Sequence, residues 1–223
     1  MPNRDYHQER RDYQFSELNR SALNRNPFAQ FSAWMDEAVT QKIMDPTAMS
    51  VSTVDAKGQP HSRVVLLKAF ETDGFVFYTH YDSAKGEEIE ANNKVSLLFF
   101  WPEMDRQVRI EGTITKISTE QSERYFQSRP RDSQLSAYIS QQSQPVDNRG
   151  VLEGNLANAS DNFAGDDIPH PPHWGGYKVT PHSFEFWQGR PSRLHDRFKF
   201  TKTNNVHTPQ EGIKAWSIDR LAP

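Results

Sequence analysis

The densest chemistry in the sequence lies near its C-terminal end. There Phe184-Glu185-Phe186-Trp187-Gln188-Gly189 leads through Arg190-Pro191-Ser192 into Arg193-Leu194-His195-Asp196-Arg197. If the last segment is extended, period-two alternation sets Arg193, His195 and Arg197 on one side. Three cation-capable groups in a row repel one another unless an anion lies nearby, so the segment reads as part of an anion site. The plainer reading is a surface loop in which Asp196 supplies the counter-charge. A second set of cations sits upstream. Arg63 and Lys68 flank the aliphatic residues Val64, Val65, Leu66 and Leu67, and alternation places Arg63 with Val65 and Leu67, opposite Lys68 with Val64 and Leu66. Lys85 falls at a helix start, and Arg129 and Arg131 flank Pro130 just ahead of Asp132-Ser133, which opens another helical turn. At such starts, unpaired backbone N–H groups reinforce an anion site.

Composition bounds what that chemistry can be. Twenty-six Lys and Arg against 29 Asp and Glu give a net charge of −3, without the basic excess of a nucleic-acid binder, so no nucleic-acid partner is expected. The eight His contain no His-Glu-x-x-His or comparable ligand set, and no metal is expected. The absence of Cys excludes disulfides, thiolate-bound metals, Fe–S clusters and a Cys nucleophile, and fits a reducing compartment. A Ser-His-Asp arrangement stays open, though no nucleophile elbow supports it. With neither a Gly-rich dinucleotide fingerprint nor a Walker loop, the phosphate of any nucleotide-like cofactor must be held by side chains and helix starts. The first 26 residues are too polar for a signal-peptide core, and the longest purely apolar run, 97–101, is far too short to span a bilayer. A soluble cytoplasmic protein, with no membrane partner, is expected.

The 223 residues allow one generous domain, and although only 35% are hydrophobic, 12% are aromatic, so the core must be built from large side chains. Residues 1–25 are polar with isolated aromatics and read as a mobile N-terminal arm; residues 26–223 read as a single domain. Asn26 and Pro27 open a helix with Phe28, Phe31, Met35 and Val39 on one face, stopped by Asp45-Pro46. Strands are expected over 47–54, 62–70, 75–79, 95–101 and 107–117, helices over 83–91, 118–127 and 151–163, and further strands over 177–187, 198–201 and 214–218. Leu152, Leu156, Ala159 and Phe163 form the apolar face of the third of these helices. Close strand spacing favours antiparallel pairing. The fold expected is mainly β with flanking helices, a β-barrel-like core rather than a doubly wound sheet.

The run from Phe184 to Gln188, followed after four residues by Arg193-Leu194-His195-Asp196-Arg197, resembles the signature of the pyridoxamine/pyridoxine 5′-phosphate oxidases. Asp45-Pro46-Thr47-Ala48-Met49, Arg63 to Lys68, Phe77-Tyr78-Thr79, Ser128-Arg129-Pro130-Arg131-Asp132-Ser133-Gln134, Trp174-Gly175-Gly176 and Ile218-Asp219-Arg220-Leu221-Ala222-Pro223 resemble the family too. The resemblance implies an antiparallel split β-barrel and a homodimer with FMN at its interface. It implies oxidation of pyridoxamine 5′-phosphate and pyridoxine 5′-phosphate to pyridoxal 5′-phosphate, with oxygen as acceptor and hydrogen peroxide as product. Carried over by position, FMN would be held by Arg63, Val64, Val65, Leu66, Leu67, Lys68, Tyr78, Thr79, Lys85, Gln107, Gln142, Ser143, Trp187 and Arg197. Substrate would meet Lys68, Tyr125, Arg129, Ser133, Arg193 and His195, with Arg193 and His195 placing it for reaction. Arg10 and Tyr13 would belong to an arm that closes over it.

Two phosphates, one on the cofactor and one on the substrate, account for two basic clusters in an acidic protein. Two departures stand out. The position before Lys85 is usually basic in this family and is Ala84 here, which implies a weaker hold on the cofactor phosphate. The stretch between Phe200 and Trp216 is longer than usual and reads as an extended hairpin loop. Two rivals remain: another flavin oxidoreductase on the same barrel, and a non-catalytic pyridoxal-phosphate or flavin carrier.

Overall fold

Asn26 Oδ1 accepts the Phe28 N–H at 2.9 Å and Pro27 occupies the first turn, so α1 (Pro27–Thr40) begins where its capping chemistry dictates. It ends sooner than the Pro46 signal predicts. Lys42 takes a left-handed φ of 57°, and the N–H groups of Lys42 and Ile43 bond back to the carbonyls of Val39 and Ala38, each at 3.0 Å. That is a Schellman closure, which satisfies the terminal carbonyls and turns the chain before Pro46 is reached.

The computed structural model describes residues 5–8, 11–203 and 215–223. The chain divides into two compact units: the first comprises Met1–Ala48, Leu98–Ile110 and His182–Pro223, the second Met49–Leu97 and Glu111–Pro181. Nine strands are described: β1 (Ala48–Val54), β2 (Pro60–Leu66), β3 (Ala69–Glu71), β4 (Gly74–His80), β5 (Lys94–Trp101), β6 (Arg106–Lys116), β7 (Trp174–Gln188), β8 (Asp196–Lys202) and β9 (Trp216–Leu221). Their order is β2-β1-β5-β6-β7-β4-β3, with β8 beside β7 and β9 beside β8. The N-terminal half of β7 pairs antiparallel with β4 (Thr79 opposite Gly175), its C-terminal half with β8 (Trp187 opposite Arg197). This is the mainly β fold with flanking helices that the sequence predicts; the added helices are α2 (Ala84–Ala91), α3 (Thr119–Ser128), α4 (Arg131–Ile139) and α5 (Arg149–Asn162).

Each unit has its own aromatic core. In the first, Phe31 packs edge-on to Phe99 at 4.9 Å, Trp34 to Phe186 at 5.2 Å and Phe186 to Phe200 at 5.4 Å. In the second, Phe126, Leu135, Ala159, Ile168 and Trp174 are buried together, joining α3, α4 and α5 to the start of β7. Burying each such large side chain contributes roughly 1.5–3 kcal/mol, which is how a chain with few aliphatics still folds.

Two expectations are corrected here. The strand predicted over 62–70 is broken: Leu67 turns into the core, and the Lys68 N–H donates to the Val76 carbonyl at 2.8 Å, which starts the β3–β4 hairpin. The apolar face predicted for α5 is mostly exposed, Leu152 at 49% and Leu156 at 38%, and within this helix only Ala159 is buried. The expected hairpin loop falls almost wholly on residues 204–214, outside the described residues.

Candidate functional site

β2 and β4 line a cavity of about 480 Å³ in the second unit, together with residues of α4, the first turn of α2 and the end of α3. Arg63, Val64, Val65, Leu66, Lys68, Tyr78, Thr79, Lys85, Tyr125, Arg129 and Gln142 all line it, so most of the cofactor and substrate candidates in this unit converge on one space. That volume is in the range of small-molecule sites.

Its electrostatics favour an anion. Lys85, in the first turn of α2 and only 8% exposed, donates to Thr79 Oγ1 at 3.0 Å, Ser83 Oγ at 3.1 Å and Gln142 Oε1 at 2.5 Å. These are neutral acceptors. Burial pushes the ammonium down to about 8, the Arg63 guanidinium adding to the drop and Glu88 opposing it. Arg63 is tied to Glu88 Oε2 at 2.8 Å and to Thr53 Oγ1. Arg129 lies over the Trp174 ring at 4.8 Å, and its Nη1, buried, has no hydrogen-bond partner among the described residues. A buried guanidinium nitrogen without an acceptor is costly in a finished protein, and a phosphate oxygen would satisfy it. Tyr78 stacks on Tyr125 at 3.8 Å and lies near-parallel to Trp174 at 5.4 Å, giving the cavity an aromatic wall. Cations, an orphaned donor and flat apolar surface together fit a phosphorylated aromatic ligand such as FMN or a pyridoxine phosphate.

Three candidates in this unit lie off the cavity lining. The Leu67 side chain is in the core at 5% exposure. Ser133 lies in the first turn of α4, its N–H bonded to the Pro130 carbonyl at 2.9 Å. Ser143, at φ 74°, accepts the Ala84 N–H at 3.2 Å and so caps α2 at its first residue. The sequence reading passed over His80, Ser136, Ser140 and Trp174, all lining residues. Ser136 and Ser140 sit one turn apart at the end of α4, an i, i+4 spacing that could have been read as a face. His80 is held down to about 4 by burial and by His173, whose ring stacks on it at 5.3 Å.

The remaining candidates belong to the first unit. Gln107 lies on β6, Trp187 at the end of β7 and Arg197 on β8. Tyr13 meets Trp187 edge-on at 5.6 Å and His195 at 5.2 Å, and Trp187 lies 4.7 Å from His195. The Arg190 N–H donates to His195 Nδ1 at 3.1 Å, which leaves Nε2 to carry the proton of the neutral ring. Burial, then the Arg193 guanidinium, lower the His195 pKa. The extended segment that would align Arg193, His195 and Arg197 does not form. Pro191–Arg193 is a 3-10 turn with Ser192 at φ 56° and Arg193 at φ 62°, and β8 begins only at Asp196. Asp196 pairs with Arg190 at 3.3 Å and Arg220 at 2.7 Å. Arg197 is held by Glu185 at 2.9 Å and the Ala222 carbonyl at 2.8 Å, whereas Arg193 forms no ion pair among the described residues. Arg10 lies outside the described residues. Also among the described residues, no group of three or more His, Asp or Glu could hold a metal, and no helix is long and apolar enough to cross a membrane.

Comparison with known proteins agrees with this arrangement. Residues 35–162 match the family model described as pyridoxamine 5′-phosphate oxidase, and residues 174–223 match that of the pyridoxine 5′-phosphate oxidase C-terminal dimerisation region. The chain is 57% identical over 223 residues to pyridoxine/pyridoxamine 5′-phosphate oxidase 1 of Hydrogenovibrio crunogenus, covering 100% of both chains. It is 47% identical over 214 residues to the pyridoxine/pyridoxamine 5′-phosphate oxidase of Bordetella pertussis, covering 96% of this chain and 97% of that one. Among solved structures it is similar to PhzG from Burkholderia lata in complex with tetrahydrophenazine-1-carboxylic acid. The TM-score is 0.83, with 25% identity and coverage of 91% and 95%. It shares its fold with a pyridoxamine 5′-phosphate oxidase-related, FMN binding protein from Nostoc punctiforme, at a TM-score of 0.70, 17% identity and coverage of 91% and 100%. The fold is thus the antiparallel split barrel, and by its sequence the chain belongs to the pyridoxamine 5′-phosphate oxidase family.

Proposed function

We propose that this protein is an FMN-dependent oxidase that converts pyridoxamine 5′-phosphate and pyridoxine 5′-phosphate to pyridoxal 5′-phosphate. It would work as a homodimer with FMN at the subunit interface and oxygen as the final acceptor, releasing hydrogen peroxide. The observation that carries this reading is the second unit's cavity, where Lys85, Arg63 and the orphaned Arg129 nitrogen surround an aromatic wall. Likeness to relatives bearing the oxidase name over the full chain supports it.

FMN, when bound, supplies two-electron redox chemistry that no side chain here offers. The side chains bind and orient. Arg63 and Lys85, with Thr79 and Gln142, hold the cofactor phosphate; Lys68, Tyr125, Arg129 and Ser133 hold the substrate phosphate. Leu67 and Ser143 contribute to FMN binding through backbone and capping contacts, and Gln107, Trp187 and Arg197 are further FMN contacts of the dimer. Arg193 and His195 orient the substrate, the neutral His195 offering its Nε2 proton. Residues 26–223 serve as the FMN-binding domain, and residues 1–25 as an arm in which Arg10 and Tyr13 cover the bound substrate. Oxygen uptake by the FMN-loaded protein on adding pyridoxamine 5′-phosphate, with pyridoxal 5′-phosphate formed in step, is the test. A protein that takes up FMN but consumes no oxygen with either substrate refutes the assignment.

A further inference from the structure

Tyr13 can act on a substrate only if something fixes the chain around it, and residues 11–15 form no helix or strand. One side chain gathers three of their hydrogen bonds. Asp105, 6% exposed, follows the 3-10 turn Pro102–Met104 at a left-handed φ of 52°. Its Oδ2 accepts the backbone N–H groups of Gln14 at 3.0 Å and Phe15 at 3.2 Å, and its Oδ1 accepts from the Arg11 guanidinium. Arg11 also donates to the Pro102 carbonyl at 2.5 Å. The three donors come from both sides of Tyr13. The opposite wall of its seat is bare: a Cβ on Gly189 would lie 2.6 Å from the Tyr13 ring. The ring fits between that glycine, Trp187 and His195 because Asp105 holds the backbone just after it and the Arg11 side chain just before it.

We propose that Asp105 is a positioning residue for the reaction: its carboxylate anchors residues 11–15 and thereby seats Tyr13 against Trp187 and His195. The inference rests on the reading in which Tyr13 covers the substrate. Asp105→Asn isolates the side-chain role. Asn tolerates the left-handed backbone, and the Asp105 carbonyl keeps the N–H groups of Gly189 at 2.7 Å and Gln188 Nε2 at 3.2 Å. The amide, however, turns one of two acceptor positions into a donor that faces donors.

The test uses the FMN-loaded protein in three measurements: steady-state kinetics on pyridoxamine 5′-phosphate, FMN retention, and the rate of tryptic cleavage after Arg11. Asp105→Asn should raise KM about tenfold, the scale of one hydrogen bond to a charged group, with FMN retention unchanged and cleavage faster. Gly189→Ala should raise KM in the same way by displacing the ring, and Asp105→Glu, which keeps the carboxylate, should recover much of the loss. Added to Tyr13→Ala, Asp105→Asn should cost nothing more, because the two act through one contact. Unchanged KM in Asp105→Asn, or equal and additive losses with Tyr13→Ala, overturns the proposal. A wild-type protein without turnover refutes the oxidase assignment instead, and tryptic protection of Arg11 that is the same with and without the Asp105 carboxylate then overturns the anchor on its own.

Discussion

If Lys85 holds the cofactor phosphate, FMN affinity must fall as pH rises through the titration of its ammonium. In the free protein burial has already brought that group to about 8, and among the described residues its hydrogen-bond acceptors are the neutral oxygens of Thr79, Ser83 and Gln142. A phosphate dianion beside it favours the charged form, so binding at pH above 8 takes up a proton. If only the ammonium form binds well, the competent fraction drops from about nine-tenths at pH 7 to about one-tenth at pH 9, and affinity falls about tenfold. The phosphate of FMN is already a dianion over this range, its second pKa being near 6, and does not contribute to the slope. Stability of the cofactor-free protein should move the opposite way. Because the folded pKa lies below the unfolded 10.5, the buried ammonium opposes folding below pH 8, and that cost is relieved as pH rises from about 8 to 10.5. Titrations of FMN fluorescence quenching at constant ionic strength, repeated for Lys85→Met, measure both the slope and its source. A flat profile from pH 7 to 9 in the wild type, or the same slope in Lys85→Met, refutes the assignment of Lys85 to the phosphate.

Ala84→Lys restores a cation at the exposed first residue of α2, beside the Ser143 cap, and should tighten FMN by up to about tenfold; equal affinity by the same titration would mean that Ser143 and Lys85 already saturate the phosphate. Arg193→Ala and His195→Ala should keep FMN bound and lower kcat/KM about 100-fold, as loss of placement does, whereas Arg129→Ala should mainly raise KM by removing a phosphate anchor. Steady-state kinetics on flavin-loaded variants separate the two patterns, and normal turnover in Arg193→Ala would make its motif structural. FMN should raise the melting temperature and suppress subunit dissociation, since a ligand that binds only the assembled fold stabilises it by mass action; a fully active monomer in sedimentation at assay concentration would contradict a shared site.

The sequence by itself determined the elements and the kinds of residue the site needs. Asn26-Pro27 starts a helix because an amide cap and a proline satisfy a helix start locally, and the β-rich middle follows from short apolar runs between turns. The family resemblance rested on a contiguous stretch, 184–197, whose identity survives without any knowledge of its shape. Its shape was another matter. Alternation placed Arg193, His195 and Arg197 together, but two left-handed residues, Ser192 and Arg193, break the extended chain, and neither is a residue type that signals a positive φ as Gly, Asn or Asp does. Only the tertiary structure decided which cations are already spent. Arg197 and Arg63 are held by Glu185 and Glu88, 12 and 25 positions away along the chain, while Arg129 retains an orphaned nitrogen. It likewise decided that Asp105, an acid between strands, receives the backbone N–H groups that follow Tyr13 and the guanidinium of Arg11 that precedes it. Local rules act over three or four residues, and charge pairing and backbone capture across 90 are set by how the strands are brought together.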